Sequence, residues 1–275
     1  MCRHVLAFVT MKMPVLFVSH GSPTVPLEPA ETGAAWHKLG EDLPRPESIL
    51  VISAHWDTPV PTVSRVAQPE TIHDFYGFPD ELYEMQYPAP GAPGLAQAVV
   101  DALQQANIPV QVSDRRGLDH GAWVPLSLIY PPADIPVTQL SLQSQSDPAW
   151  HVALGEALRP LREQGVLIIG SGSITHNLGA VFKHPRGAAV PAWVTEFCDW
   201  IADRIAAGDM DALKDYRKLA PYAVQNHPTD EHLLPLYVAL GAADVIAHSR
   251  RLNSVMTYGM LAMDMWYFDD VRGTA

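Results

Sequence analysis

The sequence predicts an α/β protein, a single domain in which a central, largely parallel or mixed sheet carries helices on both faces. Three observations point to it. Val15–Ser19, Ser48–Ala54 and Val166–Gly170 are short continuous apolar runs, the pattern of strands buried on both faces. Segments with helical spacing alternate with such runs along the whole chain. Nothing in the 275 residues reads as a repeat, a low-complexity tract or a linker, so residues 13–275 read as one domain, preceded by a flexible extension over residues 1–12.

Val15–Ser19 opens the fold, and a loop containing Pro23, Pro26 and Pro29 leads to a helix from about Glu31 to Leu39. Ser48–Ala54 is the second strand and Pro59–Val66 the third. Residues 68–93 form a long irregular segment rich in aromatic side chains; loops of this length often cover or build a site. The spacing of Leu95, Val99, Val100 and Leu103 predicts a helix over 94–106, followed by a strand at Val110–Ser113, a polar turn leading into Leu118–Leu126, and then a short helix or turn to Tyr130. Val137–Leu142 is a strand, and Asp147 before Pro148 is a cap and first turn for a helix reaching about Arg162. Helical patterns then cover 191–207 and 210–216. Thr229 is a candidate N-cap for a helix over 230–240, which places His232 in its first turn. Residues 256–267 close the chain with one or two strands.

A net charge of −12 and a pI of about 5.3, without a Lys/Arg-rich block, leave no electrostatic footprint for nucleic acid or an anionic membrane surface. No stretch approaches the roughly 20 apolar residues of a membrane span. Cys2 and Cys198 are the two cysteines, too few for a disulfide framework, so a reducing, cytoplasmic setting is expected.

The chemistry lies in the histidines. His20 and His55 end two of the apolar runs at equivalent positions, each after a small residue, Ser19 or Ala54. Adjacent strands lie about 4.8 Å apart, so imidazoles leaving neighbouring or next-neighbouring strand ends can meet on one cation. Neutral imidazole suits zinc, iron and copper. A third ligand is available from Glu231, His232, His227 or His176, and spacing does not choose among them; a carboxylate would complete the two-His-one-carboxylate face that suits non-haem Fe(II). His120 and His176 sit in glycine-containing loops, where they serve either as general acid or base or as hydrogen-bonded structural histidines. His4, His37, His151, His184 and His248 stand in polar or helical contexts and read as structural or surface residues. Gly170-Ser171-Gly172-Ser173 lacks a P-loop lysine and a dinucleotide glycine fingerprint, and no Gly-x-Ser-x-Gly elbow or zincin motif occurs.

Six ordered landmarks connect these residues: Ser19-His20-Gly21-Ser22-Pro23, Ser53-Ala54-His55-Trp56, His73-Asp74-Phe75-Tyr76-Gly77-Phe78-Pro79, Leu118-Asp119-His120-Gly121-Ala122-Trp123, the segment from Gly170 through His176 to Leu178, and that from His227 to His232. With them the chain resembles the class III extradiol ring-cleavage dioxygenases, the LigB-like superfamily, and within it the 4,5-DOPA extradiol dioxygenase branch. The resemblance implies a non-haem Fe(II) site, with Zn(II) in some isolated bacterial members, acting on a catechol and O2. By matching segments it makes His20, His55 and His232 metal ligands, although the wider superfamily supplies a glutamate as third ligand, which keeps Glu231 beside His232 as an alternative. It makes His176 the acid/base, or a fourth ligand in a zinc form, and turns His120, the second catalytic histidine, toward substrate or bound oxygen. Phe75 and Tyr76 are the aromatic side chains expected against the substrate ring. Two other functions use the same histidines: a zinc hydrolase or lyase acting on a small aromatic substrate, and a non-catalytic protein that binds small aromatics.

Overall fold

The computed structural model describes residues 11–185 and 187–268. Among the described residues ten strands are formed: β1 (Val15–Ser19), β2 (Ser48–Asp57), β3 (Thr62–Ser64), β4 (Gln111–Ser113), β5 (Val137–Leu142), β6 (Val166–Gly172), β7 (Ser249–Asn253), β8 (Met256–Thr257), β9 (Leu261–Ala262) and β10 (Met265–Phe268). Eight make one mixed sheet in the order β4-β3-β5-β2-β6-β1-β10-β7, while β8 and β9 pair with each other. The four central strands, β5, β2, β6 and β1, are parallel. β10 and β7 add antiparallel strands at one side, and β3 meets β5 antiparallel at the other.

Side chains alternate across these strands, so successive residues enter opposite cores. Val15 and Phe17 of β1, with Leu50 and Ile52 of β2, face one core; Leu16 and Val18, with Ile49 and Val51, face the other. Helices Pro93–Gln105, Pro148–Leu158, Ala192–Ala207 and Leu234–Ala242 pack in the first core, and helices Ala30–Asp42 and His120–Ile129 in the second. All nine residues of Leu234–Ala242 are buried. That helix lies against β6, whose Gly170 sits so close that an added Cβ would lie 2.3 Å from the Pro235 carbonyl oxygen. Each large aliphatic side chain buried in these layers contributes about 1.5–3 kcal/mol, which holds the strand ends in a fixed frame.

Several elements differ from the sequence expectation. The third strand shortens to Thr62–Ser64, because the Thr58 and Thr62 hydroxyls both turn back to the Val60 carbonyl and bend the chain ahead of it. The 210–216 helix is two short helices, Met210–Lys214 and Tyr216–Leu219, joined at Asp215. Asp147 does cap its helix, accepting from Trp150 N at 2.8 Å, and the turns continue as a 3-10 helix over Arg159–Gln164. The helix expected from Asp230 begins at Leu234, with Leu233 as its N-cap position in place of Thr229. The Asp230 carbonyl accepts from Leu233 N and Leu234 N in a turn that precedes the helix. His232 therefore stands in that turn and outside the helix. Within 68–93 a single short helix forms, Asp80–Glu84. Of the expected extension, residues 1–10 lie outside the described residues; Lys12 pairs with Glu163 and Asp244. Among the described residues no helix is long and apolar enough to cross a membrane.

Candidate active site

β6 lies between β1 and β2, so His20 and His55 leave strands that flank it at the carboxyl end of the parallel block, where open α/β sheets bind ligands. Their Nε2 atoms approach to 3.0 Å. His120, first residue of its helix, brings its ring centroid to 3.9 Å from that of His55 and 5.3 Å from that of His20. From the opposite side, the turn before Leu234 delivers His232, 5.5 Å from His20 and 5.0 Å from His55. His176, four residues beyond β6, lies flat on His232 with centroids 3.3 Å apart and planes 11° apart. All five histidines singled out in the sequence thus meet in one place.

Their outer nitrogens are held by neighbours. His20 Nδ1 lies 3.0 Å from the Ser171 hydroxyl, which itself donates to the Gly121 carbonyl. The hydroxyl's proton being committed, it accepts from His20 Nδ1–H, which leaves Nε2 as a lone pair. His232 Nδ1 is 3.0 Å from Glu231 Oε1, and His120 Nδ1 is 3.0 Å from Asp74 Oδ1. Glu231 is thereby occupied in orienting His232. Beneath the site, Asp119 is fully buried and accepts from Ser53 Oγ at 2.6 Å, Arg116 Nη2 at 2.7 Å and Gln139 Nε2 at 2.8 Å. Arg116 Nη2 also donates to the His55 carbonyl, so this network ties the end of β2 to the start of the His120 helix. Gly121 makes the packing possible: a Cβ there would lie 2.3 Å from Ser53 Oγ and 3.2 Å from His55 Cδ2.

Burial, reinforced by the neighbouring imidazoles, drives the His20 and His232 pKa values well below the ordinary histidine value. Burial likewise lowers His55 and His176 to about 4. These rings are neutral at physiological pH, the form that binds a cation. His232 Nε2 is buried and has no hydrogen-bond partner. A buried, unpaired imidazole nitrogen is costly, and a metal ion resolves the cost. The tightest donor sets are His20, His55 and His120, and His176, Glu231 and His232, with ligand atoms in each within 4.8 Å of one another. The residues fit a non-haem metal site.

Other candidates lie elsewhere. His227 is buried but its Nε2 is engaged by the Ile174 carbonyl at 2.7 Å. Phe75 is buried with its ring edge-on to His120, centroids 5.7 Å apart. Tyr76, expected beside the substrate, is 90% exposed and is not brought to the site. His151 is buried between the Asp147 carbonyl and Gln143 N, a structural role. Sequence reasoning missed Asp74 and Ser171 as partners of the histidines, and Asp119 as the buried acceptor beneath them; each stands inside a landmark segment, but only the tertiary contact reveals it.

The family model for the catalytic LigB subunit of aromatic ring-opening dioxygenase matches residues 14–263. A 4,5-DOPA dioxygenase extradiol of Mirabilis jalapa is 44% identical over 252 residues, which cover 88% of this chain and 93% of that protein. A protein of the same name from Escherichia coli K12 is 43% identical over 237 residues, 85% of this chain and 86% of its own. The crystal structure of JW3007, an uncharacterised Escherichia coli K12 protein, matches with a TM-score of 0.78 at 35% identity, over 93% of this chain and 99% of that one.

Proposed function

The chain belongs to the LigB family and is an extradiol ring-cleaving dioxygenase; we propose that it opens the ring of DOPA or a closely similar catechol, at Fe(II) held by His20, His55 and His232. The observation that carries the ligand assignment is the buried, unpartnered Nε2 of His232, on a ring whose centroid lies 5.5 Å from that of His20 and 5.0 Å from that of His55, two neutral histidines whose Nε2 atoms already converge. Glu231, bonded to His232 Nδ1, acts as the carboxylate that orients a ligating imidazole. Fe(II) bound there supplies a Lewis acid and a template on which the catechol oxygens and O2 are brought together. Zn(II) suits the same nitrogens, and with zinc, which favours four ligands, His176, stacked on His232, would be the fourth.

The protein's own groups then divide the work. His176, neutral because it is buried, accepts the proton of a catechol hydroxyl at a ring nitrogen and returns it as the ring opens. His120, with Nδ1–H engaged by Asp74, presents Nε2 to the substrate. Phe75, packed on His120, walls the aromatic ring, and Tyr76 takes no part. The test is identification of the product formed from DOPA by protein loaded anaerobically with Fe(II) and then given oxygen. A ring-opened semialdehyde that cyclises supports the substrate assignment; turnover of simple catechols with none of DOPA overturns it.

A further inference from the structure

Asp74 lies in the loop between β3 and helix Asp80–Glu84, and the three residues ahead of it are anchored. Thr71 forms a parallel bridge with Leu118, Ile72 N donates to the Leu118 carbonyl at 2.7 Å, and Trp123 Nε1 donates to the Ile72 carbonyl at 3.0 Å. His73 bonds the Met85 carbonyl at 3.0 Å. The carboxylate is thus delivered to a fixed point. Its Oδ1 accepts from His120 N at 2.9 Å and from His120 Nδ1 at 3.0 Å, and its Oδ2 lies 3.7 Å from His55 Nδ1. Backbone and side-chain donors of His120 thus converge on one oxygen of this carboxylate, while the other oxygen is left toward His55.

We propose that Asp74 is the positioning residue of this site: one carboxylate, spanning the outer edges of two imidazoles, fixes His120 as the Nδ1–H tautomer with Nε2 turned inward and steadies the ring of the metal ligand His55. The geometry leaves His120 little choice. Its backbone N–H and Nδ1–H address the same oxygen, so the Nε2–H tautomer would set a lone pair against the carboxylate, and a flipped ring would put carbon where the donor stands. Because Oδ2 faces His55, loosening one ring loosens the other. The assignment of His55 to the metal and of His120 to the substrate rests on the function proposed above; the tautomer does not.

The experiment compares wild type with Asp74→Asn and Asp74→Glu, each loaded with zinc for spectroscopy and with Fe(II) for kinetics. In the 15N-labelled zinc protein, His120 is expected with a protonated Nδ1, and Asp74→Asn to give mixed tautomers. In the Fe(II) enzymes Asp74→Asn is expected to lower kcat about 10–100-fold, the range for losing a partner of a site histidine, with KM changed less than threefold and iron content within twofold of wild type. Asp74→Glu recovers part of kcat. A wild-type His120 carrying its proton on Nε2 overturns the proposal, and so does Asp74→Asn with unchanged tautomer and kcat. The wild-type spectrum needs no variant to fold. If wild type turns over no catechol, the functional reading falls while the tautomer still decides the role of Asp74.

Discussion

The His176 ring lies parallel to that of His232 at 3.3 Å, so the residue assigned to proton transfer rests directly on a residue assigned to the metal. Burial keeps both neutral. An acid or base placed this way serves substrate oxygens bound to the same ion without any rearrangement of the chain. His176→Ala is expected to lower kcat by about 10²–10⁴-fold, the usual worth of a positioned proton-transfer group, with iron content retained. Oxygen uptake alongside metal analysis measures it. Full turnover in that variant contradicts the assignment.

Glu231 and His232 are neighbours in sequence with different tasks. His232→Ala removes the unpartnered nitrogen and is expected to abolish stoichiometric metal binding. Glu231→Gln leaves the ligand in place with a weaker orienting partner, for a loss of roughly 10–100-fold in affinity. Competition titration with a zinc chelator separates the two. A Glu231→Gln protein as metal-free as His232→Ala would make the carboxylate itself the ligand.

Asp119 is fully buried and serves Ser53, Arg116 and Gln139 together. Replacement by alanine leaves the part-buried Arg116 guanidinium and the buried Ser53 and Gln139 groups without their acceptor, and breaking a fully buried pair from one side costs about 3–5 kcal/mol, an upper bound here. Denaturant unfolding of Asp119→Ala should show a loss of that order. A change under about 1 kcal/mol would mean that water replaces the carboxylate at little cost.

Acid stability carries a signature of His151, which is fully buried. Burial lowers its pKa to about 4 in the folded protein, whereas the unfolded value is about 6.5. Between these pH values the unfolded chain binds more protons than the folded one, so stability is fully present above about pH 6.5 and falls as pH drops toward 4. The difference across the window is on the order of 3 kcal/mol at most. His151→Gln should flatten this acid limb in chemical unfolding measured from pH 4 to 7. An unchanged slope would show that the ring already binds its proton in the fold.

The histidines at strand ends were legible because a buried parallel strand is a continuous apolar run, and the residue where it stops faces the ligand edge. That logic places His20 one residue past β1, whereas β2 runs on through His55 to Asp57, so His55 stands within the last residues of its strand and not beyond it. His232 was legible as a candidate, yet its setting was not. Thr229 looked like a cap, but Asp230 holds Tyr216 and Arg217 with its carboxylate and a turn with its carbonyl, and the helix starts after it. Asp74 was invisible as a partner of His120 because 46 residues separate them and the contact depends on the pairing of Thr71 with Leu118. β7 was missed for a simpler reason: Ser249–Asn253 contains two arginines and a polar residue at each end, and as the outermost strand it needs no apolar alternation.

Oxygen consumption with isotope-labelled O2 tests the central claim most directly. Protein loaded anaerobically with Fe(II), mixed with DOPA and ¹⁸O2, should consume one O2 per catechol and place both labelled atoms in the ring-opened product before exchange with water. No oxygen uptake across a broad panel of catechols by fully iron-loaded protein would contradict it.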